Sequence, residues 1–341
     1  MSVVNTRTAQ VDNVAHATVA KATSARDHAA PATVDAGAWV LPSPRPEHYT
    51  AGDESFLLDA AHAGRTLPAE VYDALVDFTA ASNDAGAMLV RNVPLGVVPA
   101  TPPTPTSPIA KDGTSEFALL ALASIVGHPV GYLPEHGGDV VQNIVPVRTS
   151  ADRQVSTSSA TDLMFHTEAA FHPHRPRHLL LACLRGDAQA YTTLSSIREV
   201  VHLLDEGTVD VLFQRRFRTA VDESYLHGRT NRLGDPVAVL TGTVDQPSMT
   251  FDEDLMVGID DEADAALRTL GLAVRTHHTG VSLCAGDVLI VDNSVSVHGR
   301  TPFVARYDGT DRWLQRTMTV ADLAPSAADR RGRVITTVFG D

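Results

Sequence analysis

The segment Phe165-His166-Thr167-Glu168 restricts the fold of this chain more than any other stretch. A His and a carboxylate two residues apart project to the same side of an extended segment, so both can reach one metal ion. A third ligand has to come from elsewhere, and His298, followed by Arg312, is the candidate. The fold must therefore bring residue 298 against 166 and 168, with the rest of the chain as scaffold and pocket wall.

Two neutral imidazoles and one carboxylate on a single face, with the opposite positions open, form the ligand set expected for non-haem Fe(II) oxygenases. Two of the free positions suit a bidentate 2-oxo acid and the third suits O2. Such an acid has a distal carboxylate still to place, and Arg is the usual planar partner. Arg312, fourteen residues past His298, is expected one strand away on a returning hairpin. A hydroxyl from Thr192, or from neighbouring Thr193, could share that carboxylate.

Composition narrows the partners. The 341 residues carry 41 acidic against 27 basic side chains, a net charge of −14, which argues against a nucleic-acid groove. No apolar run approaches the ~20 residues that span a membrane, and residues 1–34 lack the continuous apolar core of a secretory signal. Cys183 and Cys284 stand alone, with neither disulfide nor zinc-ribbon spacing. A cytoplasmic protein acting on a small molecule is expected; the sequence leaves open whether it forms a homo-oligomer.

Periodicity predicts a helix over 67–82 that starts at Pro68, a strand over 87–93 and an apolar helix over 117–126. Between them, 98–114 is a Pro-rich extended crossing. Further strands are expected at 140–145, 178–185, 191–195 and 313–320, with one or two over 281–295, and a helix over 261–275. The polar loops 148–160 and 222–236 are candidates to close over a pocket, the second as a lid. This is mainly β with flanking helices, and the expected core is a distorted double-stranded β-helix, a jelly-roll or cupin-like core. The expected division is a partly disordered N-terminal arm (1–47), a single dioxygenase domain (48–325) and a loose basic tail (326–341).

The sequence FHTEAAFHPHRP, the later GDVLIVDNSVSVHGR and the DRWLQR that contains Arg312 together resemble the clavaminate synthase-like branch of Fe(II)/2-oxoglutarate-dependent dioxygenases. The resemblance covers roughly residues 85 to 320. That branch includes hydroxylases of free arginine, asparagine and lysine. It implies a distorted jelly roll and hydroxylation of an unactivated C–H. By the same resemblance Arg316 takes the substrate α-carboxylate, Gln142 and Glu168 hold the α-amine, and Ser156 or Ser158 contributes from a loop.

Phe251-Asp252-Glu253-Asp254-Leu255 resembles the acidic pair that grips a guanidinium in the arginine hydroxylases. In an extended segment Asp252 and Asp254 would point to one side, and a cation between them would relieve their repulsion. The substrate implied is L-lysine or L-arginine, oxidised at C3 or C4, ahead of asparagine. Desaturation or ring closure on the same scaffold, a divalent-metal hydrolase and a non-catalytic iron or 2-oxoglutarate sensor are the rival readings. The hydrolase leaves Arg312 and Arg316 without a job. Asp292 and Asn293 could orient the distal His or simply make a hairpin turn. The spacing of His172, His174 and His178, with Pro173 and Pro176 between them, matches no zinc signature.

Overall fold

The strand His178–Arg185 is buried on both faces. Leu179, Leu181 and Cys183 enter one apolar cluster, whereas Leu180, Ala182 and Leu184 enter another. A strand covered on both sides reads as a continuous apolar run rather than an alternating one. It lies at the centre of the larger of two main sheets in a computed structural model that describes residues 29–42 and 53–340.

The larger sheet has nine strands. In spatial order they are Ala32–Asp35, Ala87–Arg91, Val288–Asp292, His178–Arg185, Trp313–Val320, His128–Tyr132, Val334–Ile335 and Arg330–Arg331, with Gln142–Ile144 also pairing Trp313–Val320. The smaller sheet orders Thr279–Ser282, Tyr191–Ser196, Ser296–Arg300 and Leu163–His166. Leu89, Leu181, Leu289, Leu314 and Met318 of the first pack with Leu194 and Val281 of the second, so the two sheets face one another. Each fully buried Leu or Met there contributes about 1.5–3 kcal/mol.

Helices cover the outer faces. Glu54–Gly64, Ala69–Ala80 and Thr114–Val126 pack on the larger sheet. The third of these is apolar nearly all round because it is sandwiched between the sheet and the first helix, whose Phe56 meets Phe117 edge-on at 5.2 Å. Asp261–Thr276 covers the smaller sheet. Its N-cap Asp260 accepts from the Ala263 amide at 2.9 Å, and Asp261, Glu262 and Asp264 complement the helix dipole. Among the described residues no helix is long and apolar enough to cross a membrane.

Most expected elements stand within a few residues of their bounds, and the region 281–295 resolves into two strands that belong to different sheets. One helix was missed and two expectations need correction. The helix Glu54–Gly64 went unread, although Asp53 caps it by accepting from the Ser55 amide at 2.9 Å. The tail is not loose: Val334–Ile335 runs parallel to His128–Tyr132, and Phe339 packs on Phe171 at 5.1 Å. Arg312 is not on a hairpin with His298, because the strand it precedes belongs to the larger sheet and His298 to the smaller. Of the expected N-terminal arm, residues 1–28 and 43–47 lie outside the described residues, and Ala32–Asp35 is an edge strand.

Candidate metal centre and substrate pocket

Alternation along the smaller sheet decides what enters the space between the sheets. Phe165 and Val297 belong to the outer cluster beneath the helix Asp261–Thr276. Their neighbours His166 and His298 therefore point inward. The two histidines are register partners on antiparallel strands, with ring centroids 4.3 Å apart. Gly299 allows this pairing, since a Cβ there would sit 2.5 Å from the Leu163 carbonyl oxygen.

Glu168 arrives from the turn just beyond. The Thr167 amide donates to the Phe251 carbonyl at 2.7 Å, and Thr167 Oγ1 accepts from the Phe251 amide at 3.0 Å. Asn293 then accepts from the Glu168 amide at 2.7 Å and donates to its carbonyl at 3.0 Å. Neither Asp292 nor Asn293 orients His298, whose Nδ1 is buried without a hydrogen-bond partner; Asn293 fixes the loop that carries Glu168. Asp292 instead pairs with Arg177 at 2.8 Å and accepts from Ser294 within its own turn.

His166, Glu168 and His298 form the one metal-competent cluster among the described residues, with ligand atoms all within 4.8 Å of one another. Met164 O lies 2.8 Å from His166 Nδ1, which leaves Nε2 for a ligand role. His298 Nε2 stands 3.6 Å from Glu168 Oε2, too wide for a hydrogen bond and suited to two donors around one ion. Burial opposes ionisation of Glu168, but Arg316, His298 and His166 outweigh it and hold its carboxyl well below its ordinary value. Burial, then His166, pushes His298 down to about 4, so the imidazole is neutral and able to ligate. The donor set thus fits iron. His172 and His174 make a different arrangement, in which the His174 ring bonds Asp329 at 2.9 Å.

Arg312 is buried, and Nη2 donates to Thr192 Oγ1 at 3.3 Å, which favours Thr192 over Thr193 as its companion. Arg300 is buried beside it and donates to the Ser158 carbonyl, to Ser158 Oγ at 3.0 Å and to the Thr161 carbonyl at 3.0 Å. Burial pulls Arg312 down to about 10; burial and then the charge of Arg312 pull Arg300 down to about 10. Both are still cations at neutral pH, and together they make a strong site for an organic carboxylate. Arg312→Met is expected to raise the KM for 2-oxoglutarate at least tenfold while moving the KM for the second substrate little. Initial rates with each substrate varied in turn would check this, and an unchanged 2-oxoglutarate KM would contradict it.

A cavity of about 480 Å³ opens beside the metal cluster. His166, Glu168, Arg316, Asp252, Asp254 and Ser156 all line it, as six expected contributors should. Ser158 does not; its hydroxyl is taken by Arg300. The region 222–236 contributes Asp222, Glu223, Ser224, Tyr225 and His227, and the loop 148–160 faces it, with Arg153 ion-paired to Glu223.

Two expectations are modified by the geometry. Gln142 is cross-strand partner to Arg316, so it lies alongside rather than in front of it. Its Oε1 accepts from Arg316 Nε at 2.9 Å, and it does not line the cavity. Asp252 and Asp254 lie in a turn, not an extended strand, because Asp252 Oδ1 accepts from the amides of Asp254 at 3.0 Å and Leu255 at 2.8 Å. Both still reach the cavity, while Glu253 turns away to Arg275 at 2.7 Å.

Two acidic residues went unread as site residues. Glu135, from the turn after His128–Tyr132, lines the cavity and pairs with Arg316 Nη2 at 2.9 Å. Asp222, the N-cap of the short helix Glu223–Leu226, lies close enough to both Glu135 and Asp254 to raise their affinity for protons. Burial pushes Asp252 up to about 6, and burial, ahead of neighbouring acids, pushes Glu135 and Asp254 upward too. Crowded carboxylates of this kind, whose ionised forms lack enough cationic partners, are a receptor for a cation.

Two facing sheets with a two-histidine, one-carboxylate cluster between them place the chain among the non-haem iron dioxygenases. Residues 77–318 match the taurine catabolism dioxygenase TauD, TfdA family, and the chain belongs to that family. It is 38% identical to an L-lysine 3-hydroxylase of Catenulispora acidiphila over 301 residues, 85% of this chain and 83% of the relative. It is 37% identical to an L-asparagine oxygenase of Streptomyces coelicolor over 284 residues, 82% and 84% of the two chains. Among solved structures, asparagine oxygenase with Fe(II), 2S,3S-3-hydroxyasparagine and succinate superposes with a TM-score of 0.83 at 34% identity, covering 89% of this chain and 98% of that one. The non-heme iron oxygenase OrfP with Fe, succinate and (3R,4R)-dihydroxy-L-Arg gives 0.80 at 28% identity, covering 90% and 100%.

Proposed function

We propose that this dioxygenase hydroxylates a free basic L-amino acid, L-lysine or L-arginine, at C3 or C4, with Fe(II), 2-oxoglutarate and O2. The observation that carries the reading is the charge of the cavity wall beside the metal cluster. Glu135, Glu168, Asp222, Glu223, Asp252 and Asp254 stand there against Arg153 and Arg316. That is six acids against two bases, a surplus of four. A neutral amino acid would leave the buried Asp252 carboxylate beside Asp254 without a counter-ion, whereas a terminal ammonium or guanidinium can bond both. The similarity to a lysine 3-hydroxylase and to OrfP, crystallised with a hydroxylated arginine, points the same way.

His166, Glu168 and His298 would hold the iron, which when bound with 2-oxoglutarate and O2 supplies the oxidising power to insert one oxygen atom into a C–H, leaving succinate and CO2. Arg312 with Thr192 would anchor the distal carboxylate of 2-oxoglutarate. Arg316 receives the α-carboxylate of the substrate, Glu135 and Glu168 flank its ammonium, and Gln142 steadies Arg316 from behind. Ser156 bonds the head group from the 148–160 loop, and Asp252 and Asp254 hold the cationic tail. No side chain has to act as a general base, because the cofactor carries the C–H chemistry. The chain's contribution is to hold one methylene at the metal and to exclude water.

Residues 48–325 are read as the dioxygenase domain, with a distorted double-stranded β-helix core and 222–236 as its lid. The ion pair Arg153–Glu223 across the cavity mouth is where lid and facing loop would part. Binding of small molecules alone accounts for the site, in a cytoplasmic protein. Norleucine, which keeps the length of lysine and lacks its amine, tests the reading. It should be turned over at least a hundredfold less efficiently than lysine. Equal kcat/KM values for the two would remove the role of the acidic wall.

A further inference from the structure

We propose that the Tyr225 hydroxyl is a substrate-binding group that donates to the α-carboxylate of the amino acid, completing a head-group site that Arg316 alone cannot fill. This rests on the amino-acid reading above. Arginine has five N–H donors. In Arg316, Nε donates to Gln142, Nη2 to Gln142 and Glu135, and Nη1 to Glu168. One N–H, on Nη1, is left for a carboxylate that brings two oxygens. A carboxylate has about four lone-pair sites, more than that N–H and the Ser156 hydroxyl fill together.

Tyr225 lines the same cavity, on the short helix Glu223–Leu226. The residue is 4% exposed, and its hydroxyl is buried without a hydrogen-bond partner. A buried hydroxyl left unbonded is destabilising, a cost that a phenylalanine in the same ring site would avoid. The oxygen is therefore useful only when something in the cavity bonds it. Its direction is fixed by the ring, packed edge-on against Phe171 at 4.9 Å, Phe339 at 6.1 Å and Tyr132 at 6.2 Å. Burial, with Glu135 and Glu168 nearby, holds the proton on the phenol, so it serves as a donor. Glu135 and Glu168 each bond Arg316, and no acceptor of the wall bonds the Tyr225 hydroxyl.

Tyr225→Phe in the full-length, Fe(II)-loaded enzyme is the test. A hydrogen bond to a charged group implies a rise in the amino-acid KM of about tenfold or more. The KM for 2-oxoglutarate should be unchanged, and the melting temperature unchanged or higher. With the α-carboxamide of the same amino acid the two enzymes should differ little, since the charged acceptor is gone. An unchanged amino-acid KM in Tyr225→Phe would overturn the inference while leaving the hydroxylase reading intact. An equal penalty for acid and amide would also overturn it, by assigning the effect to packing. Failure of the unmodified enzyme to turn over any free amino acid would remove both.

Discussion

His166→Ala is expected to lower turnover by about three orders of magnitude or more, equivalent to ~4 kcal/mol or above in the barrier. The imidazole stands at the cavity edge, and its other nitrogen is satisfied by the Met164 carbonyl, which water can replace. The strand pairing with His298 is made by backbone and survives the change. The fold should therefore persist while the iron is lost. Metal content after desalting, measured beside thermal melting, separates the outcomes. A variant that keeps a full equivalent of Fe(II) and its turnover would show that the ligand set has been misassigned.

Among the variants Asp252→Asn has the second largest expected effect, and it acts on the substrate rather than on the metal. The amide oxygen can still accept from the Asp254 and Leu255 backbone, so the turn is kept and only the negative charge is removed. Loss of one charge-assisted bond to a cationic tail costs roughly 1.5–3 kcal/mol, or about 10- to 150-fold in kcat/KM. Stability should not fall. The carboxyl is raised by burial to about 6 from its free value of 3.8, so its ionised form opposes folding at neutral pH and that penalty fades as pH drops through 6. Kinetics with lysine and arginine, together with melting at pH 7, would check both halves. A lower melting temperature with unchanged kcat/KM would make Asp252 a structural residue only.

The metal cluster was readable because its code is local. His166 and Glu168 obey strand alternation up to the turn, and His298 sits in an apolar context that marks a buried strand. The larger sheet was readable for a similar reason: Trp313–Val320 and His178–Arg185 are long runs bounded by polar residues. What depends on register was not. Nothing in the sequence says that Gln142 is the cross-strand neighbour of Arg316, so its place behind the guanidinium could not be foreseen. Glu135 lies in a turn without periodicity, and its importance comes only from its carboxylate reaching Arg316 across the cavity wall.

The missed helix Glu54–Gly64 did carry a signal, in Asp53 as cap and in the spacing of Phe56, Leu57, Ala60 and Ala63. The C-terminal segment carried almost none. Its strands are two residues each, and Phe339 has meaning only once Phe171 and Tyr225 are beside it. Asp222 was visible as a lid residue but not as a carboxylate on the cavity wall, because the inward turn of the lid depends on packing rather than on pattern.

The most direct measurement is anaerobic loading with Fe(II), followed by aerobic assay of 2-oxoglutarate with each of the twenty free amino acids. Succinate and a product heavier by one oxygen atom are the readouts. Turnover confined to lysine, arginine or both is the expected result. Turnover with asparagine or another neutral amino acid in their place, or succinate with none of the twenty, would contradict the account.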